Sequence, residues 1–203
     1  VDTSQVNLQR YKRTQISTLP DVAGVYVLCD LDCVPIYVGQ ADVSRDTSIK
    51  KRVQRHLTSA RSDIIANRQL DVWEVAYVMA WTASEAVDRR DLEAQLFHLF
   101  DKQSQLVNGT VPALPARSLN RTAPEFKVQV LSDSVIEIRR DPTLRFPRQA
   151  QQFTQLLDYI LNTQDKPHLR RALQVHHARL TRHLRSFLGT HDTPPDTDDE
   201  ADD

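Results

Sequence analysis

Between Gly24 and His56 the chain sets two tyrosines, an arginine and an imidazole in close order: Gly24-Val25-Tyr26, then Tyr37-Val38-Gly39, then Arg52 and His56. Together these groups suit phosphodiester chemistry better than simple packing. Hydrolysing a phosphodiester needs a base for water, donors for charge building on the phosphate oxygens, and help for the leaving oxygen. A guanidinium offers fixed donors to phosphate. A phenol, with an ordinary pKa of about 10, acts as a base at neutral pH only if that pKa is depressed. Taken singly, the same residues also fit an ordinary hairpin with two packed tyrosines and a solvated Arg/His pair.

The elements that must position them follow from local pattern. Val25-Tyr26-Val27-Leu28 and Ile36-Tyr37-Val38 are β-branched and aromatic runs separated by the turn Asp30-Leu31-Asp32-Cys33, so they read as a hairpin. A turn centred between Leu31 and Asp32 sets Tyr26 opposite Tyr37, with Val25, Val27, Ile36 and Val38 on the other, aliphatic face. Gly24 and Gly39 are two of four glycines in the chain, and their places beside the tyrosines imply close backbone approach or unusual φ. Next, Thr47 or Ser48 can cap a helix whose buried stripe is Ile49, Val53, Leu57 and Ala60. Arg52 and His56, four apart, share a neighbouring face of it. Val72 to Trp81 reads as a further strand, with Glu74 near its edge. A second helix, capped by Ser84 and carrying Asp88 in its first turns, has Ala86, Leu96, Phe97 and Phe100 as its stripe. Glu93 falls within that stripe, where a carboxylate is costly unless it is metal-bound or paired, for instance with Arg89 or Arg90.

Gly24-Val25-Tyr26 and Tyr37-Val38-Gly39, with Leu19-Pro20 ahead, Lys51-Arg52 and His56 behind, then Glu93 and Asn108, resemble the motifs of the GIY-YIG endonucleases. The resemblance covers about residues 19–110. It implies a small three-stranded antiparallel sheet flanked by helices, and a metal-dependent nuclease with Tyr26, Tyr37, Arg52, His56, Glu93 and Asn108 in its site. Within it Tyr26 is the base candidate, Arg52 the phosphate donor, and Tyr37 and His56 position water or phosphate. Glu93, the only motif carboxylate, holds the metal. One carboxylate argues for a single Mg²⁺ with several waters, for which Mn²⁺ substitutes. The stretch from Ala41 to Ile49 is longer than the usual link and reads as an exposed loop insertion.

Composition fits a nucleic-acid partner. The formal net charge is −1, but residues 191–203 hold seven acids and no Lys or Arg. Residues 1–190 therefore hold 20 acids against 26 bases, a formal +6, as nucleic-acid binding requires. Lys51, Arg61, Asn67, Arg68, Arg117 and Arg121 are the further nucleic-acid contacts expected. The acidic tail, with Pro194-Pro195, reads as disordered. No apolar run approaches membrane-spanning length and no secretory pattern opens the chain, so a cytoplasmic protein with Cys29 and Cys33 as reduced thiols is expected.

The flanking regions complete an α+β reading. Residues 1–18 form a polar, irregular lead-in and 111–125 a proline-marked linker. Phe126 to Arg139 alternates about Ser132-Asp133-Ser134 and reads as a second hairpin. Two helices follow within 126–190: one with Pro147 in its first turn, and one from Leu169 to Leu188, ending at Gly189. The second carries Arg170, Arg171, Arg179, Arg182 and Arg185 with His176, His177 and His183, and reads as a basic solvated or phosphate-facing surface. These helices are also where a homodimer contact or a partner protein is expected. The expected function is a DNA endonuclease, by analogy one of restriction or phage defence. The alternative is a nuclease or DNA-binding subunit of a larger repair or defence assembly.

Overall fold

The computed structural model describes residues 3–42, 47–58 and 69–189, with side chains from residue 7. Arg61, Asn67, Arg68, Ala60, the middle of the 41–49 loop and the acidic tail lie outside these residues. In chain order the described elements are α1 (Thr3–Ile16), β1 (Gly24–Cys29), β2 (Pro35–Ala41), α2 (Ile49–Thr58), β3 (Tyr77–Thr82), α3 (Ala86–Gln103), β4 (Phe126–Gln129), α4 (Asp133–Arg140), α5 (Pro142–Asn162) and α6 (Pro167–Leu188). The fold is α+β, with one open antiparallel sheet in the order β2-β1-β3-β4. None of the described helices is long and apolar enough to cross a membrane.

Both faces of the sheet are core. On one, Tyr26, Leu28, Val78 and Ala80 pack with Ile49, Val53 and Leu57 of α2. On the other, Val25, Val27, Val38 and Trp81 pack with Leu92, Leu96 and Phe97 of α3. The α2 stripe is thus Ile49, Val53 and Leu57, as its spacing predicts, and the Ser48 hydroxyl accepts from the Lys51 amide at 3.2 Å to cap it. Residues 19–22 steady the same end: the Ile49 amide donates to the Val22 carbonyl at 3.0 Å.

The sheet has four strands rather than the expected three, because Phe126–Gln129 adds to β3. The expected second hairpin is this strand followed by α4. Ser132 is the helix N-cap, and the Ile136 amide donates to its carbonyl, so the Ser-Asp-Ser run that looked like a turn starts a helix. The strand expected from Val72 begins at Tyr77. Residues 71–75 form turns instead, with the Trp73 amide on the Asp71 carboxylate at 3.1 Å. The lead-in is also helical: Lys12 and Ile16 are buried four residues apart on α1, a narrow stripe that the polar flanks mask. Glu85, not Ser84, is the N-cap of α3, and the Ser84 carbonyl is taken by the Arg89 guanidinium. α5 begins at Pro142 with Asp141 as its side-chain cap, so Pro147 lies inside the helix rather than in its first turn.

The largest correction concerns charge. Glu74 does not sit at an exposed edge; it is 2 % exposed and bound by Arg145, which is 5 % exposed, through contacts of 2.8 and 3.1 Å. Arg145 also reaches Asp32 at 2.5 Å, and Arg179 of α6 reaches Asp30. The α6 face expected to be solvated is partly core: His176 and Arg179 are buried, and His176 meets the Gln69 carbonyl at 2.7 Å. Asp30 and Asp32 belong to the β1–β2 turn, so α5 and α6 are fastened to the hairpin through ions. Buried carboxylates without these guanidiniums are costly. Arg145→Met should therefore lower unfolding free energy by about 3–5 kcal/mol, because it removes the hydrogen-bonded partner of buried Glu74 and leaves it only Arg179, at 3.9 Å. Urea titration with tryptophan fluorescence measures this.

Candidate active site

The hairpin brings the two phenols together, though not as direct partners. Tyr26 pairs with Gly39 and Leu28 with Tyr37, with an irregularity between Leu28 and Cys29. The tyrosines are therefore diagonal neighbours on one face, with ring centroids 6.2 Å apart. His56 comes from α2 to complete a triangle, 5.9 Å from Tyr26 and 5.4 Å from Tyr37 between centroids. The Tyr26 hydroxyl is hydrogen-bonded to His56 Nε2 at 2.9 Å.

Gly39 makes this packing possible. A Cβ there would stand 2.6 Å from the Tyr26 oxygen and 2.8 Å from Tyr37 Cε1, so the Tyr26 ring lies across bare backbone. Gly24 has the same role toward β3, where a Cβ would stand 2.1 Å from the Trp81 carbonyl oxygen. The glycines beside the tyrosines are thus close-approach positions, as the sequence implies.

The tyrosines differ in access. Tyr26 is fully buried. Burial raises its pKa well above the ordinary phenol value, the neighbouring Tyr37 adds to the rise, and Arg52 opposes it without prevailing. That direction is the reverse of what a direct base at neutral pH needs. Tyr37 is partly exposed and lines a cleft of about 740 Å³ at the free edge of β2. Burial raises its pKa as well, with Arg52 pulling down and Glu93 pushing up.

Arg52 and Glu93 face each other across this cleft, from helices on opposite faces of the sheet. Gly39, Gln40, Asp42, Thr47, Arg55, Ala86, Arg89 and Arg90 complete its lining. Glu93 is half-buried, and desolvation raises its pKa to about 7 against the lowering effect of Arg52. Among the described residues, neither Arg89 nor Arg90 pairs with it. Arg89 reaches Asp42 instead, at 3.1 Å. Asp42 also closes the base of the 42–47 loop, accepting at its carbonyl from the Thr47 hydroxyl at 2.9 Å.

Asn108 occupies a different place from the other five. Its amide grips the edge strand: the Val38 amide donates to Oδ1 at 3.0 Å, and Nδ2 donates to the Val38 carbonyl at 2.6 Å. It positions β2 between Tyr37 and Gly39 and does not line the cleft. Arg117 and Arg121 lie outside the lining too. Arg117 pairs with Asp88 and Asp91, and Arg121 with Glu125. Lys51 is exposed on α2. Asp42 and Arg55 were not singled out by sequence for this place, whereas Arg89 was named as a partner for Glu93 and meets Asp42 instead. Arg55 has a legible signal, standing one helical turn beyond Arg52. Asp42 has none, since its meeting with Arg89 depends on how β2 ends over α3.

Among the described residues no group of three or more His, Cys, Asp or Glu side chains is placed to hold a metal ion. A hydrated Mg²⁺ accepts as few as one or two carboxylates and keeps several waters, and Glu93 is the residue of this cleft that could hold one. Glu93 fits that requirement: it is desolvated within a cleft and its anionic form gains from added positive charge. No family model, curated protein or solved structure matches the chain.

Two outcomes follow from this geometry. Gly39→Ala should destabilise the fold by about 1–3 kcal/mol, because the added methyl meets a fully buried ring; thermal melting measures the loss. Glu93 contributes stability that is fully present below its unfolded pKa of 4.5 and is lost as pH rises through about 7. Glu93→Gln should therefore match the wild type at pH 4 and exceed it at pH 8 by at most about 3 kcal/mol. Urea unfolding at the two pH values, without divalent ions, reads the difference.

Proposed function

We propose that this chain is a metal-dependent endonuclease hydrolysing phosphodiester bonds in DNA, on the GIY-YIG pattern. One observation carries the reading: Tyr26, Tyr37 and His56, from three separate elements, form a ring triangle beside a cleft shared by Arg52 and Glu93. Five residues of four types suited to phosphoryl chemistry meet in one place, although their sequence positions span two strands and two helices.

In this reading Arg52 donates to the phosphate oxygens and Tyr37, in the cleft wall, orients the attacking water or the phosphate. Tyr26 and His56 stand behind Tyr37. Their hydrogen bond fixes the ring triangle and offers a place for a proton away from the substrate. Glu93 would hold Mg²⁺ or Mn²⁺, which supplies charge stabilisation and a more acidic bound water. Asn108 keeps the edge strand in register under Tyr37. Restriction or phage defence is the setting favoured by analogy alone.

A second reading draws on exposed apolar side chains of α5 and α6: Leu161, 72 % exposed where α5 leads into α6, and Leu188, 61 % exposed at the C-terminal end of α6. Apolar groups there fit a nuclease or DNA-binding subunit that docks, through these helices, on another copy or on a partner in a repair or defence assembly.

The test is incubation of the purified chain with plasmid, single-stranded DNA and RNA, with Mg²⁺ or with EDTA. Plasmid nicking or linearisation that needs Mg²⁺ is expected. Glu93→Gln should slow it by about 100-fold or more while leaving DNA affinity largely intact. Mg²⁺ should also raise the melting temperature of the wild type at pH 8 but not that of Glu93→Gln. Undiminished Mg²⁺-dependent cutting by the variant removes Glu93 from the site.

A further inference from the structure

The cleft holds more positive charge than one phosphate requires. Four guanidiniums line it, those of Arg52, Arg55, Arg89 and Arg90, against the two carboxylates of Asp42 and Glu93. Arg89 is buried and engaged with Asp42 and with the Ala83 and Ser84 carbonyls. It is structural. Arg55 and Arg90 are exposed, and among the described residues neither has an ion-pair partner. Exposed arginines without partners are unremarkable singly, but these two share one concavity and enter it from different sides.

Their placement follows from helix geometry. Arg55 stands three residues beyond Arg52 on α2, about 4.5 Å further along the axis on a neighbouring face. Arg90 stands three residues before Glu93 on α3, with the same offset. α2 and α3 cover opposite faces of the sheet. The Arg52–Glu93 pair thus marks the centre of the cleft, with one arginine displaced from it on each helix. Side chains three apart on a helix lie about 5–6 Å between Cβ atoms, a separation that long arginine side chains extend to reach neighbouring phosphates of one strand.

We propose that Arg55 and Arg90 each bind a phosphate flanking the one at Arg52 and Glu93, so that the cleft takes a run of consecutive nucleotides across the β2 edge. The substrate class is then a polynucleotide strand rather than an isolated phosphodiester. This rests on the nuclease reading for its central phosphate. Electrostatic binding by the two arginines does not require that cleavage occur.

Each phosphate contact contributes about −0.9 to the slope of log K against log salt on duplex DNA. The experiment measures binding of a fluorescent DNA duplex by the full chain in EDTA, across salt concentrations. The proteins compared are the wild type, Arg55→Gln, Arg90→Gln, their double variant, and the control Arg10→Gln/Arg13→Gln on exposed positions of α1, which has the same charge change. Circular dichroism melts confirm that each is folded. Each single variant should flatten the slope by about 0.9 and the double by about 1.8, with the control unchanged. Mg²⁺-dependent nicking of plasmid should slow in the double variant by a larger factor than Mg²⁺-dependent hydrolysis of bis(p-nitrophenyl) phosphate, which holds one phosphodiester.

An unchanged slope in the double variant, or an equal flattening in the control, overturns the proposal. So does an equal loss on plasmid and on bis(p-nitrophenyl) phosphate in the double variant, which would put the pair on the central phosphate. A wild type that shows the slope pattern but hydrolyses nothing defeats the nuclease reading and leaves the phosphate-binding cleft standing. A wild type without DNA affinity defeats both.

Discussion

β2 is an edge strand that carries a cleft-lining side chain, and the site depends on how that edge is held. An unpaired edge leaves N–H and C=O groups free to fray or to recruit another strand. Here the segment at 106–108 takes the place of a fifth strand. The Val107 amide donates to the Ile36 carbonyl at 2.8 Å, and the Asn108 side chain satisfies both backbone groups of Val38. Ile36 and Val38 bracket Tyr37, so its backbone is pinned on both sides while its ring stays at the cleft. A side-chain amide can do this in the space where a full strand would cover the cleft.

Much of this arrangement is legible in the sequence because it is local. The alternation around Tyr26 and Tyr37, the 3.6-residue stripe of Ile49, Val53 and Leu57, and the glycines beside the tyrosines each follow from a short window. The register was less accessible. The irregularity after Leu28 shifts the pairing, and nothing in Asp30-Leu31-Asp32-Cys33 reveals that Cys33 adopts φ 62°. The ionic centre was also hidden. Glu74 and Arg145 are 71 positions apart, and pattern alone cannot distinguish a buried arginine from a solvated one. Ser132-Asp133-Ser134 is ambiguous for a related reason, since the residues that favour turns also cap helices.

The site also joins opposed electrostatic demands. Tyr26 and Glu93 both lose solvation, and both are driven toward their neutral forms. Arg52 lies near both and opposes each shift. An anionic substrate entering the cleft would compete for that same guanidinium. The protonation of the phenols, the carboxylate and whatever occupies the cleft are therefore coupled through one side chain, and a macroscopic pH profile belongs to the group rather than to any single residue.

The bond between Asp30 and Arg179 spans 149 positions, and this bears on biosynthesis. A chain emerging from the ribosome in order completes the β1–β2 hairpin long before α6 exists. Arg140 and Arg145 reach Asp32 and Glu74 first, from α4 and α5, but until α6 is made Asp30 lacks its Arg179 contact. Loop closure over such a distance is entropically slow. The turn beside the strand that carries Tyr26 thus waits on α6 for its Arg179 contact, so that a chain terminated before α6 lacks that contact along with the helix.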